Sequence, residues 1–248
     1  MKFNFHFSNA IMTNTEIKYI KSLSQKKFRD EYGVFVVEGE KMVQEALASG
    51  FVVEKVYRME EIGEQAMSRI TALSSPSPAL AVVRKPMDLQ KADVPCAGLF
   101  LALDGIRDPG NLGTILRIAD WFGIDAVYAS EDTVDLFNPK VVQSTMGAIF
   151  RVKFHYCSIP GLCSEVASRG GKVYGTFLDG ENMYSKALES GFSVIVIGNE
   201  SNGISPATAV CVTDRLFIPP YPADDPGSES LNAAIATAVT VAEFRRPR

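Results

Sequence analysis

The sequence predicts an α/β fold in two parts, and three features predict it. Short apolar runs, too brief for helices and apolar at successive positions, recur from Leu99 onward, as strands buried on both faces of a parallel sheet do. Helical patterns separate them. The segments 101–123, 193–204 and 216–238 each pass from an apolar run into a polar loop rich in Gly, Asn or Pro. Strands that end this way build ligand sites at the carboxyl edge of an open parallel sheet.

The first part alternates elements over residues 1–90. Ile17–Ser24, Lys41–Ser49 and Glu60–Leu73 have helical patterning, and Gly33–Glu38, Phe51–Tyr57 and Leu80–Val83 read as strands. Lys85–Pro95 has two prolines, mixed charge and little apolar content, which places a linker at 91–96. The second part, 97–248, runs strand–loop–helix. Its strands are expected at Leu99–Leu103, Ala126–Ala129, Val173–Phe177, Val194–Ile197 and Leu216–Ile218. Helices are expected at Leu112–Phe122, Pro139–Met146, Leu162–Ser168 and Leu231–Phe244.

Composition bounds the class. With 46% hydrophobic and 22% charged residues in 248, the chain reads as a soluble globular protein. No apolar stretch reaches the roughly 20 residues of a membrane helix, and the N-terminus lacks a signal-peptide pattern. The four cysteines, Cys96, Cys157, Cys163 and Cys211, show no CxxC spacing, so free thiols in a reducing cytoplasm are expected. No phosphate-loop or GxGxxG pattern is present, and His6 and His155 lie outside the polar loops. Neither a dinucleotide site, a His-based triad nor a metal site is expected.

The net charge of −4 argues mildly against a nucleic-acid partner. The charge is uneven, however: Lys18, Lys21, Lys26, Lys27 and Arg29 lie in one stretch with no acid between them. A local patch sets the field within a Debye length, about 10 Å at 0.1 M salt. Phosphate contact and a solvated helix face are both open for this run.

Asn111 follows Asp108-Pro109-Gly110 and precedes an apolar helical face, so it reads either as a helix cap or as a site residue. Arg117 sits between Ile115-Leu116 and Ile118-Ala119, where it either snorkels or holds a phosphate at the sheet rim. Gly198 reads as a turn glycine or a close approach to a ligand, Glu200 as a solvated or an organising acid, and Ser230 as a cap or a ligand positioner.

Asn111-x-Gly113-Thr114-x-x-Arg117, Gly198-Asn199-Glu200 and Ser230-Leu231-Asn232 together resemble the three signature motifs of the SpoU (TrmH-like) family of SPOUT-superfamily RNA methyltransferases. The resemblance spans about Leu99–Arg245, and a weaker one to the family's RNA-binding domain spans Ile17–Lys85. It implies a SPOUT catalytic domain with a C-terminal trefoil knot, a small L30e-like N-terminal domain, and a homodimer joined through the catalytic domain near Trp121 and Phe122. It also implies S-adenosylmethionine-dependent 2′-O-ribose methylation of RNA. Arg117, Asn111, Glu200, Ser230 and Asn232 would form the catalytic set. Thr176, Leu178, Gly180, Gly198, Ile218 and Leu231 would hold the cofactor. The RNA would meet Lys18, Lys21, Lys26, Lys27 and Arg29. Phe35–Glu40 leans toward ribosomal over transfer RNA; a transfer-RNA enzyme and a silent RNA-binding relative are the alternatives. Between Pro219 and Ser230 the chain is longer than the family pattern, which unsettles Gly227 and Ser228.

Overall fold

The computed structural model describes residues 12–87, 89, 94–222 and 229–247. His6, the centre of the expected linker and most of the long loop before Ser230, Gly227 and Ser228 included, lie outside the described residues. Contacts divide the chain into two units: Met1–Pro86 with Asp135–Phe150, and Met87–Val134 with Arg151–Arg248. By contacts, residues 135–150 of the expected domain 97–248 go with the first unit.

In the first unit, helix α1 (Asn14–Ser22) starts in a capping box, Glu16 N–H donating to Thr13 Oγ1 and Thr13 N–H to Glu16 Oε2. Helix α2 (Lys26–Tyr32) follows. The sequence reading missed it, because KKFRDEY has no apolar stripe. Strand β1 (Val34–Glu38), helix α3 (Glu40–Ala48) and strand β2 (Val53–Arg58) come next. The helix expected over 60–73 is two, α4 (Met59–Ile62) and α5 (Glu64–Ile70). Gly63, at φ +81, breaks the pattern between them. Strand β3 (Ala79–Arg84) lies between β1 and β2 and pairs antiparallel with both.

This sheet is apolar on both faces, so both need cover. Leu80, Val82 and Val34 pack with Ile17, Ile20 and Leu23 and with Met67 and Ile70. On the other face Phe35 is fully buried. Its ring lies 4.6 Å from Phe137 and 6.4 Å from Phe150, and Phe51 stands edge-on to both Phe35 and Phe150. Helix α7 (Pro139–Thr145) adds buried Val141 and Val142. The apolar side of 135–150 therefore belongs to this sheet.

The second unit is a six-stranded parallel sheet ordered β6-β5-β4-β8-β7-β9. In chain order it contains β4 (Gly98–Asp104), α6 (Pro109–Trp121), β5 (Ala126–Ala129), β6 (Phe154–Tyr156), α8 (Ile159–Ser168), β7 (Lys172–Asn182), β8 (Phe192–Gly198), α9 (Pro206–Ala209), β9 (Asp214–Phe217) and α10 (Ala233–Phe244). The fully buried runs of β4, β5 and β8 account for their continuous apolar sequences. Helices α6 and α10 lie side by side in the same direction. Asn232 before α10 meets Asn111 in the first turn of α6, and Arg245 after α10 donates to the carbonyls of Phe122 and Gly123. All four cysteines are free, and burial pushes the Cys163 thiol up to about 12 and Cys157 to about 11.

Candidate functional site

The neighbouring strands β4, β8, β7 and β9 and the segments that follow them carry the candidate catalytic and cofactor residues. Asp108 caps α6, its Oδ1 accepting from Asn111 N–H at 2.8 Å. The cap reading of Asn111 is thereby corrected: Asn111 sits in the first turn with its amide free for other partners. Asn232, and not Ser230, caps α10, its Oδ1 accepting from the N–H groups of Ala234 and Ile235 at 3.0 and 3.2 Å. Ser230 is exposed two residues before the cap.

The α10 cap fixes the direction of a hydrogen-bond chain. Because Asn232 Oδ1 faces the helix, its Nδ2 points away and donates to Asn111 Oδ1 at 2.8 Å. Asn111 Nδ2 must then face outward, and donates to Glu200 Oε1 at 2.8 Å. Residues 121 and 89 positions apart are joined in one line. The Glu200 carboxylate is thereby held at the first turn of α6.

Beneath Glu200, Asn199 Nδ2 donates to the Gly105 carbonyl at 2.6 Å while its Oδ1 accepts from Ser201 and Asn202 N–H. Gly105 N–H donates to Ser130 Oγ, and Ser205 N–H to the buried Asp104 carboxylate. Asn199, Asp104, Gly105 and Ser130 were not among the expected site residues. Asn199 lies within the Gly198-Asn199-Glu200 motif without a role of its own there, and the sequence signal of Asp104, Gly105 and Ser130 is their place directly after an expected strand.

The expected cofactor residues lie on adjacent strand ends. Thr176 opposes Leu216 across β7 and β9, and Thr176 Oγ1 reaches the Val196 carbonyl of β8. Gly180 and Gly198 are required by close packing of main chain. A Cβ at Gly198 would fall 2.2 Å from the Gly203 carbonyl carbon, and one at Gly180 would fall 2.6 Å from that of Leu216. Ile218 is half-buried, whereas Leu178 and Leu231 are exposed. Beside them the Arg215 guanidinium lies 3.5 Å over the Phe177 ring and pairs with Asp179, holding that carboxyl below the usual range. The two glycines pack against the chain's own backbone, whereas the exposed apolar side chains of Leu178 and Leu231 suit a ligand with an apolar ring.

Arg117 is exposed on α6. Six residues beyond Asn111, it lies about 9 Å further along the helix and roughly 120° around it. Among the described residues it makes no hydrogen bond or ion pair, so the folded chain leaves its guanidinium outside the Asn232–Asn111–Glu200 line.

The basic run divides. Lys18, Lys21, Lys26 and Lys27 are exposed, Lys26 in an ion pair with Asp30 at 2.6 Å. Arg29 is 2% exposed, donating through Nη1 to the carbonyls of Leu23 and Ser24 and through Nη2 to Asp135. The expectation that Arg29 meets RNA is corrected: it ties the α1–α2 turn to the segment that covers the sheet. Among the described residues there is no group of three or more His, Cys, Asp or Glu placed to hold a metal ion, and no helix long and apolar enough to cross a membrane.

Residues 98–242 match the model of the SpoU rRNA methylase family, and residues 14–87 that of the MRM3-like substrate-binding domain. The chain is 32% identical to the 23S rRNA (guanosine(2553)-2′-O)-methyltransferase RlmP of Bacillus subtilis, over 94% of this chain and 96% of the relative. A solved structure of a TrmH-family protein from Porphyromonas gingivalis is 36% identical and superposes with a TM-score of 0.83, covering 95% of this chain and 99% of that one. An AdoMet-bound rRNA methyltransferase from Sinorhizobium meliloti is 29% identical with a TM-score of 0.84, covering 94% and 95%.

Proposed function

The chain belongs to the SpoU rRNA methylase family, and from that premise we propose that it transfers a methyl group from S-adenosylmethionine to a ribose 2′-hydroxyl of ribosomal RNA. The observation that carries this reading is the Asn232–Asn111–Glu200 line, which joins all three motif segments at the carboxyl edge of the sheet. It lies beside strand ends suited to the cofactor.

S-adenosylmethionine supplies an activated methyl group when bound. The chain's residues then have to bind, align and manage a proton. Thr176, Leu178 and Gly180 after β7, Gly198 after β8, Ile218 after β9, and Leu231 would hold the cofactor through main-chain groups and apolar contact. Asn111, Glu200, Ser230 and Asn232 shape the polar side of the same edge. A ribose hydroxyl must lose its proton as it attacks, and a phosphate of the RNA substrate is the group that takes it. Arg117 is the group assigned to that oxygen, by positioning it and stabilising the charge that develops there. A guanidinium stays protonated far above neutral pH, so charge stabilisation suits it better than proton abstraction.

Lys18, Lys21, Lys26 and Lys27 would bring phosphates to the N-terminal unit. The family's trefoil knot is supported by the return of α10 from edge strand β9 to α6. A homodimer through the catalytic unit is supported by Trp121, 84% exposed on α6, and Ile235, 51% exposed on α10. A cytoplasmic location fits an rRNA substrate. Trp121→Lys should convert the dimer to monomer in light scattering without lowering the melting temperature; a monomeric unaltered protein would remove this part of the reading.

The function is tested by incubating the protein and methyl-labelled S-adenosylmethionine with unmodified ribosomal or transfer RNA. Label should enter ribosomal RNA at least tenfold faster. Preferential labelling of transfer RNA would overturn the substrate assignment.

A further inference from the structure

Helices α1 and α2 carry three neighbouring aromatic rings, of which Tyr19 and Phe28 are half-buried and Tyr32 is left exposed. Phe28 and Tyr32, one turn apart on α2, stack with centroids 6.3 Å apart and planes 13° from parallel. Tyr19 of α1 meets Tyr32 edge-on at 5.2 Å. Tyr32 nevertheless remains 48% exposed, a large ring left at the surface.

The charge on the same two helices is positive. Lys18, Lys21 and Lys27 are exposed and, among the described residues, form no ion pair. Lys27 Nζ lies 5.7 Å from the centre of the Phe28 ring. The neighbouring acids are largely taken up: Asp30 by Lys26 and Lys85, Glu16 by Lys55, and Glu54 by Arg84. Among the described residues, Glu31 alone of the acids on these helices is left exposed without such a partner. A solvated helix face would need the lysines but not the rings, and a protein-docking face would gain little from an excess of one charge.

We infer that the Tyr32–Phe28 stack and the lysines of α1 and α2 form a docking surface for an unpaired stretch of the RNA substrate. A base stacks on Tyr32 and flanking phosphates meet Lys18, Lys21 and Lys27. A duplex keeps its bases stacked on one another, so it can engage the lysines but not the ring. The inference rests on the RNA methyltransferase reading and adds where, and in what form, RNA is held.

The test measures fluorescence anisotropy of the full-length protein with a 12-nucleotide unstructured RNA and with a 12-base-pair RNA duplex, alongside calorimetry with S-adenosylmethionine. Tyr32→Leu, which keeps apolar bulk, should weaken single-strand binding about tenfold and duplex binding less than twofold, with cofactor affinity unchanged. Tyr32→Phe should bind like the unaltered protein. Lys18→Gln, Lys21→Gln and Lys27→Gln together should weaken both RNAs and make the salt dependence shallower. Full single-strand affinity in Tyr32→Leu, or an equal loss on strand and duplex, would overturn the inference. An unaltered protein that binds the cofactor but neither RNA would overturn it as well. One that binds neither RNA nor cofactor would instead remove the methyltransferase reading on which it rests.

Discussion

Arg117→Ala should lower single-turnover methylation at least about a hundredfold, about 2.7 kcal/mol on the barrier, while leaving cofactor affinity and melting temperature unchanged. The structure gives the reason for expecting this separation. Arg117 is exposed, its helix is held by Leu112, Ile115, Leu116 and Ala119 on the opposite side, and among the described residues its guanidinium binds nothing in the folded chain. Removing it leaves no buried partner unpaired, so the fold has little to lose. Arg117→Lys should restore little, because an ammonium cannot present the planar fork that grips an oxyanion or phosphate from two sides. If the alanine variant instead melts lower and loses cofactor, Arg117 supports the fold and has no part in the chemistry.

Asp135→Ala should destabilise the N-terminal unit by about 3–5 kcal/mol in denaturant unfolding, because it strands a buried guanidinium. The Arg29 side chain is 3% exposed, and its Nη2 has Asp135 as carboxylate partner at 2.6 Å. Replacing both residues, as Arg29→Met with Asp135→Leu, should recover most of that loss. RNA binding should follow stability and not the charge of residue 29. A double variant as unstable as the single one would mean the site needs the ion pair itself. The same packing bears on truncation. A fragment beginning near Asp93 keeps all three motifs, yet it would expose Phe137, Val141 and Ile149, all buried in the full chain. Such a fragment should aggregate, contrary to what a linker near residues 91–96 would suggest.

Most of the strands were legible because a parallel sheet buried on both faces leaves continuous apolar runs, and Leu99–Leu103 and Val194–Ile197 fall within β4 and β8. Helix α7 was legible as a helix but not by its place. An apolar face of Val141 and Val142 states that something must cover it and leaves open which of two sheets does. Helix α2 was invisible because its one buried residue is an arginine, held by the nearby carbonyls of Leu23 and Ser24 and by the distant Asp135, which only the tertiary fold supplies. The same fact misled the reading of Arg29, since five like charges in a run look alike until one of them finds Asp135. The motifs announced a composite site, whereas the roles within it depend on long-range partners. Asn111 has the chemistry of a cap, but Asp108 fills that role and frees the Asn111 amide to join Asn232 to Glu200. Gly198 marks a close approach, but the approaching group in the folded chain is the main chain at Gly203.

The central claim is that the methyl group goes to a ribose oxygen, and alkaline hydrolysis of the labelled RNA tests it directly. Alkali cleaves RNA through attack by the 2′-hydroxyl on the adjacent phosphate, so a 2′-O-methyl group protects the bond that follows it. Ribosomal RNA methylated by this protein should yield its label in an alkali-resistant dinucleotide, and Arg117→Ala should remove that product. Label recovered in mononucleotides, as a methylated base would give, would contradict the account.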